Sequence, residues 1–153
     1  MRIALYQPDI PQNAGTILRL GACLSLPVDI IDPCGFPLSH ASLKRAGMDY
    51  LEHVDMTRHA DFTGFMDEAR NTGRRVVLLT TKASLPHTAF AFRQDDTLLL
   101  GRESAGVPGE VHEAVDASVT IPMSPGMRSL NIAMAAAIVT GEALRQTGMF
   151  PSP

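Results

Sequence analysis

The chain has 153 residues, which suits one folded domain with a real core and leaves little room for a second. Hydrophobic residues make up 45% and charged residues 19%, a balance that excludes an intrinsically disordered chain. The formal net charge of −3 excludes a uniformly basic nucleic-acid-binding protein, and no apolar run approaches the roughly 20 residues that a membrane-spanning helix needs.

The first half of the chain alternates short β-rich runs with helical patterns. In chain order, its predicted elements are a strand at Ile3–Tyr6, a helix over about Asn13–Ser25, a strand at Val28–Ile31, a short helix within Ser39–Gly47 and a strand at Leu51–Val54. Asn13 and Ser39 are candidate N-caps, and Gly47 is a candidate C-terminal stop.

The second half continues the same alternation. Its predicted elements are a helix over Asp61–Thr72 capped by Asp61 and ended by Gly73, strands at Arg75–Leu79 and Thr97–Leu100, a short helix from Pro108 to about Val115, a strand at Ala117–Ile121 and a last helix over Leu130–Thr147. Strands that alternate with helices predict an α/β fold with a mainly parallel sheet flanked by helices.

Three loops carry more polar groups than connectors require: Pro11–Arg19, Gly101–Glu110 and Ile121–Asn131. In open parallel sheets, ligands collect beyond the carboxyl ends of the strands, where helix N-termini also point. Each loop taken alone is also explained as a turn or a capped helix, with Ser129 or Asn131 as the cap of the last helix. Together they favour a ligand-binding α/β domain.

Common catalytic and phosphate-binding patterns are missing from the sequence. The middle loop is neither a Walker loop nor a GxGxxG pattern, and Ser104 stands outside any GxSxG elbow. The histidines form no HExxH or HxH grouping, so we expect no metal. Cys23 and Cys34 form no disulfide framework, so we expect reduced thiols, a cytoplasmic location and no membrane partner.

Six motifs, in order and at matching spacing, resemble the SPOUT-class RNA methyltransferases. They are IALYQPDIPQNAGTILRL, IIDPCGFPL, LKRAGMDY, LLTTK, LLLGRESAGVPGEV and IPMSPGMRSLNIAMA. Within that class the chain is similar, over nearly its whole length, to the tRNA (cytidine/uridine-34-2′-O)-methyltransferases that act on the wobble nucleotide of leucine tRNAs. The resemblance implies a single domain over residues 1–153, with a deep C-terminal trefoil knot and no separate RNA-binding domain.

The resemblance also implies S-adenosyl-L-methionine as the cofactor, bound in a bent shape by the knot loops. Its predicted contacts, carried over position by position, are Leu79, Thr80, Gly101, Ile121, Met123, Ser129 and Leu130. The predicted partners are the anticodon stem-loop of tRNA and a second copy of the chain, with Asn13, Arg19 and Lys82 contacting RNA.

Four residues are predicted to serve catalysis. Arg19 matches an arginine with a central role in relatives, and a guanidinium suits positioning or stabilising oxyanion charge better than accepting a proton. Glu103 is the chemically easier proton acceptor, or else orients an arginine, while Arg128 and Asn131 would shape the pocket and the approach of the ribose.

Two alternatives stay open. Many relatives carry a hydroxyl and an amide where this chain has Ala133 and Met134. That departure supports a knotted RNA-binding module without turnover. The other alternative is a 2′-O-methyltransferase for another tRNA site or for ribosomal RNA.

Overall fold

The structure, a computed structural model, describes residues 1–45 and 51–153. Six short strands form its centre. The strands are Arg2–Tyr6 (β1), Val28–Ile31 (β2), Met56–His59 (β3), Arg75–Leu79 (β4), Asp96–Leu100 (β5) and Ala117–Val119 (β6). They form one sheet in the order β3-β2-β1-β5-β4-β6, and every neighbouring pair runs parallel. The predicted α/β fold with a mainly parallel sheet is confirmed.

Helices cover both faces of this sheet. They are Pro11–Leu24 (α1), His40–Arg45 (α2), Phe62–Asn71 (α3), Gly109–Ala114 (α4) and Ile132–Thr147 (α5). Successive side chains of a strand point to opposite faces. Along β1, Ile3 and Leu5 accordingly pack with α1, α2 and α5, whereas Ala4 and Tyr6 pack with α3 and α4. Among the described residues, no helix combines the length and the apolar character that crossing a membrane requires.

The start of α1 differs from the prediction. Asn13 is not the N-cap, because the helix begins two residues earlier with Ile10 as the N-cap and Pro11 at the first position. Proline is favoured there since its φ is already helical and its missing N–H would have no partner in the helix. The side chain of Asn13 is therefore available for a contact outside its own helix.

The third strand also lies elsewhere than predicted. Leu51–His53 form a single 3₁₀ turn, and the strand is β3, whose side chains are exposed or half-buried except for His59. The edge position of β3 explains why the prediction missed it. A strand at the edge of a sheet does not need a run of apolar residues, and such a run is the pattern by which a buried strand is recognised in a sequence. The predicted stop at Gly47 lies outside the described residues.

The remaining helix ends agree with the prediction to within two residues. Asp61 caps α3 by accepting a hydrogen bond from the backbone N–H of Gly64 at 2.8 Å. Gly73 follows that helix with a φ of +67°, a left-handed conformation that glycine adopts without strain. Pro108 is the N-cap of α4 rather than part of its first turn. The trefoil knot stays a prediction.

A buried aspartate connects the strands on one face of the sheet. Asp29 in β2 is completely buried and accepts hydrogen bonds from Arg2 Nε and Nη2 at 2.7 and 2.9 Å. His59 Nε2 lies 2.9 Å from the same carboxylate, and Arg74 Nη1 lies at 3.5 Å. Burial alone would raise the pKa of Asp29, but the hydrogen bonds to Arg2 and His59 outweigh it and hold that pKa below its usual value.

Candidate active site

A cleft of about 450 Å³ lies beyond the carboxyl ends of β4, β5 and β6. Its walls include residues 78–81 at and just beyond the end of β4, residues 100–103, 106 and 107 at and beyond the end of β5, and residues 120, 121 and 123 after β6. Residues 129–132 and 135 at the start of α5, together with Ile10 and Asn13 near the start of α1, complete it. Ligands of open parallel sheets bind at this edge.

The cleft brings together most of the residues predicted from the sequence. All seven predicted cofactor contacts line it, namely Leu79, Thr80, Gly101, Ile121, Met123, Ser129 and Leu130. Asn13, Glu103 and Asn131 line it as well. Arg19, Lys82 and Arg128 are exposed and lie outside the walls that the described residues form. The fold thus gathers the first two groups of residues into one pocket. The three basic side chains lie on the surface, and each is close in sequence to a residue that lines the pocket.

The loop after β5 owes its shape to two glycines. Its ends are joined by hydrogen bonds from the backbone N–H of Arg102 to the carbonyl of Gly106 at 2.9 Å and in the reverse direction at 2.8 Å. A Cβ atom at Gly101 would lie 2.8 Å from the carbonyl carbon of Gly106, closer than such atoms approach. Gly106 itself has a φ of +64°. This loop therefore presents bare backbone to the cleft.

Glu103, at the tip of that loop, is held by Asp9 from the turn between β1 and α1. Glu103 Oε2 accepts a hydrogen bond from the backbone N–H of Asp9 at 3.1 Å, and the Glu103 N–H donates to Asp9 Oδ1 at 3.2 Å. The Ser104 hydroxyl donates to the other oxygen of Asp9, and Arg102 Nε lies 3.6 Å from it. Sequence reasoning missed Asp9, because its contact with Glu103 joins segments 94 residues apart.

The two carboxyl groups differ in their affinity for a proton. Burial raises the pKa of Glu103, and contact with the Asp9 carboxyl raises it further. The hydrogen bond with Glu103 lowers the pKa of Asp9, and the hydrogen bond from the Ser104 hydroxyl lowers it further. Burial acts in the opposite direction, but the net effect is a pKa of about 2. Glu103, which lines the cleft, is therefore the stronger base of the pair.

Asn131 links the two helices that border the cleft. Its Oδ1 accepts hydrogen bonds from the backbone N–H groups of Ala133 at 2.9 Å and Met134 at 3.4 Å, so Asn131 rather than Ser129 is the N-cap of α5. Its Nδ2 donates to Asn13 Oδ1 at 3.0 Å. The amide that the sequence analysis assigned to catalysis thus also fixes the start of α5 against α1.

An apolar patch lies beside the cleft, on the loop before α5 and on α5 itself. We call Met127, Leu130, Met134 and Ile138 the α5 patch; they are exposed to 65%, 42%, 60% and 40%. Met134 and Ile138 stand one turn apart, so they share a face of the helix.

Among the described residues, no group of three or more histidine, cysteine or acidic side chains is arranged to hold a metal ion.

Known proteins match this fold and this chain closely. The sequence pattern of the SpoU rRNA Methylase family matches residues 1–141. A tRNA (cytidine(34)-2'-O)-methyltransferase of Beijerinckia indica is 62% identical over 95% of this chain and 91% of its own length. A solved structure from work on the 2-OH methylation of C/U34 on tRNA superposes with a TM-score of 0.89, at 42% identity over 95% of this chain and 94% of that one.

A more distant neighbour was solved with its cofactor. The SpoU methyltransferase AviRb from Streptomyces viridochromogenes, in complex with AdoMet, has a TM-score of 0.84 and 27% identity, over 95% of this chain and 60% of that one. The family pattern covers most of the chain, and the first relative is similar along nearly all of it. This protein therefore belongs to the SpoU rRNA methylase family, within the SPOUT class of methyltransferases that its motifs predicted.

Proposed function

We propose that this protein uses S-adenosyl-L-methionine to methylate the ribose 2′-oxygen of the nucleotide at position 34 of tRNA. The observation that carries the proposal is the convergence of three loops on one cleft, in a chain that matches relatives of that activity over nearly its whole length. Leucine tRNAs with cytidine or a modified uridine at position 34 are the proposed substrates, and the cytoplasm is the proposed location.

The cleft suits the proposed cofactor in size and in character. Its volume of about 450 Å³ lies in the range of small-molecule sites. The ends of β4 and β5, the loop after β5 and the start of α5 supply apolar side chains, among them Leu78, Leu100, Val107 and Ile132. The same loop after β5 also supplies exposed backbone. When bound, S-adenosyl-L-methionine would supply a methyl group activated by a positively charged sulfur.

Glu103 and Arg19 divide the remaining chemistry. The ribose 2′-oxygen loses its proton and gains the methyl group, while the methyl–sulfur bond breaks and S-adenosylhomocysteine leaves. Glu103 is placed at the cleft and has a raised pKa, so it is the residue to accept that proton. A guanidinium donates hydrogen bonds and accepts none, so Arg19 positions the ribose or stabilises charge on the oxygen. Asn131 shapes the approach of the ribose, and Arg128 contacts the substrate from the loop before α5.

The α5 patch is the proposed face of a homodimer. Four large apolar side chains exposed on one helix and on the loop that precedes it mark an interaction surface. The two subunits of such a dimer would together build the RNA-binding surface, with Arg19 near the site. Lys82, which is exposed, would extend the RNA-binding surface.

Methyl transfer to total tRNA tests the proposed activity. With radiolabelled cofactor, we expect label in leucine tRNAs and, after nucleoside mapping, only at the 2′-oxygen of position 34. Arg19→Ala should abolish transfer while calorimetry still detects S-adenosylhomocysteine binding. Arg145→Ala, which removes an exposed arginine paired with Glu142 at 2.8 Å, is the matched control and should remain active.

The other outcomes of this assay are equally informative. Binding of tRNA without transfer would identify an RNA-binding module that lacks turnover, and label at another position would identify a different methylation site. Undiminished turnover by Arg19→Ala would remove that residue from the mechanism.

Sedimentation velocity tests the dimer. The wild type should sediment as a dimer at assay concentrations, and Met134→Asp should sediment as a monomer and lose methyl transfer. Leu85→Asp is the matched control, because Leu85 is exposed to 40% but lies outside the α5 patch. A wild-type monomer that is fully active would refute the dimer.

A further inference from the structure

Asp9 lies directly behind the proposed proton acceptor. Its carboxylate faces the Gly101–Gly106 loop but does not line the described walls of the cleft, and its side chain is 14% exposed. Gly35 closes the opposite side: a Cβ atom there would approach Asp9 Cβ to 2.7 Å, and the Gly35 N–H donates to the carbonyl of Pro8 at 2.9 Å. Asp9 is therefore fixed from both sides in contact with Glu103.

We propose that Asp9 is a positioning residue, which fixes the Glu103 carboxyl at the wall of the cleft and strengthens it as a proton acceptor. The proposal rests on the proposed function, since it needs a reaction in which Glu103 takes the proton of a ribose hydroxyl. Two reciprocal hydrogen bonds, at 3.1 and 3.2 Å, hold the two residues in register. Among the described residues that line the cleft, Glu103 is the only one with a carboxyl group, and the carboxylate in contact with it is that of Asp9.

Electrostatics explains how Asp9 acts on its neighbour. A carboxylate beside Glu103 opposes a second negative charge, so Asp9 contributes to raising the pKa of Glu103. Arg102, whose Nε lies 3.6 Å from Asp9, offsets part of that negative charge. From α1 and α5 the cleft presents Asn13 and Asn131, which are uncharged amides. Burial is the larger cause of the raised pKa of Glu103, and the Asp9 carboxyl, whose charge Arg102 partly offsets, raises that pKa further.

The pH dependence of single-turnover methyl transfer measures this effect. With enzyme in excess over tRNA and with saturating cofactor, the wild-type rate should fall on the acid side as Glu103 becomes protonated. In Asp9→Asn the neutral amide no longer opposes ionisation of Glu103, so this acid limb should move by about one pH unit to lower pH. Arg102→Ala should move it in the opposite direction, because the charge of Asp9 is then no longer offset.

Two variants serve as matched controls. Asp9→Glu keeps the negative charge, so its acid limb should lie at a higher pH than that of Asp9→Asn. Ser104→Ala removes one hydrogen bond to Asp9 but keeps its charge, so the limb should stay at its wild-type pH. A role for Asp9 in loop stability alone would lower the rate equally at every pH and would move no limb. Calorimetry with S-adenosylhomocysteine verifies that each variant retains a folded cleft.

The possible failures are distinguishable. If the wild type transfers no methyl group to position 34, the proposed function is wrong. If Glu103→Gln keeps the wild-type acid limb, Glu103 is not the proton acceptor and the role of Asp9 falls with it, although the methyltransferase activity stands. If Glu103→Gln removes the limb while Asp9→Asn and Arg102→Ala both leave it in place, the inference about Asp9 alone is overturned.

Discussion

Replacing Asp29 by alanine should destabilise the protein without touching the described walls of the cleft. The carboxylate is completely buried and accepts three hydrogen bonds, two from Arg2 and one from His59. Its loss leaves Arg2 and Arg74 without their shared counter-charge, and breaking a buried ion pair costs about 3–5 kcal/mol. Because both arginines keep some contact with solvent, we expect about 3 kcal/mol, or a fall in Tm of roughly 6–12 °C for a chain of this size.

Urea unfolding followed by circular dichroism, at a fixed protomer concentration, gives this free energy. Arg58→Ala is the control: it breaks an ion pair between β3 and Asp32, the residue after β2, but Arg58 is 50% exposed, so the loss should stay below about 1 kcal/mol. Equal losses in the two variants, or a loss near zero in Asp29→Ala, would refute the assignment of stability to burial.

The pH dependence of the same free energy provides a second check. Because the folded-state pKa of Asp29 lies below its usual value, its contribution is present above the unfolded-state pKa of about 3.9 and is lost as the pH falls through the folded-state value. The gap between wild type and Asp29→Ala should therefore be full at pH 7 and should narrow below about pH 4. A gap that widens in acid would contradict the sign of the shift.

Three further predictions concern the site and the thiols. Gly101→Ala forces the Gly106 backbone to move and should slow methyl transfer roughly 10²-fold. Gly109→Ala is the control and should keep the wild-type rate, because no atom lies within 4 Å of the added Cβ. Equal rates in the two variants would contradict this account. Asn131→Ala should cost about 1 kcal/mol in chemical unfolding through loss of the α5 cap. At pH 8, iodoacetamide should label exposed Cys23 but spare Cys34, whose pKa burial and Asp32 raise to about 12, as mass spectrometry of the peptides will show.

Five of the six strands were predicted, and four of them, β1, β2, β4 and β5, were predictable because each forms a run of residues largely buried on both faces of the sheet. Arg75–Leu79 was predicted to the residue, since a parallel strand between two layers of helices has apolar side chains on both sides. Local patterns also located the cap at Asp61 and reduced the cap of α5 to Ser129 or Asn131, of which the structure has Asn131, because a cap depends on only a few neighbouring residues. The seven residues that meet in the cleft were identified through family resemblance, which carries information that no local pattern holds.

What the sequence could not reveal are contacts between distant segments. Asn13 has the residue type of a helix cap, yet its side chain bonds Asn131, and nothing near it in the chain indicates that partner. Asp9 lies in an ordinary turn, and its role appears only when Glu103 is brought against it from 94 residues away. The edge strand β3 was missed because the apolar residues that precede it give a stronger strand pattern than its own.

The place of β1 in the sheet has a consequence for synthesis on the ribosome. β1 ends at Tyr6, but its neighbour β5 begins only at Asp96, so at ordinary translation speeds the emerging chain waits roughly 5–20 s for this partner. During that interval one edge of β1 is unpaired, and such an edge is a site where nascent chains pair with one another. Because Asn13 also waits for Asn131, the catalytic cleft is among the last parts of the protein to form. Truncated products of this chain should therefore be prone to aggregation and inactive.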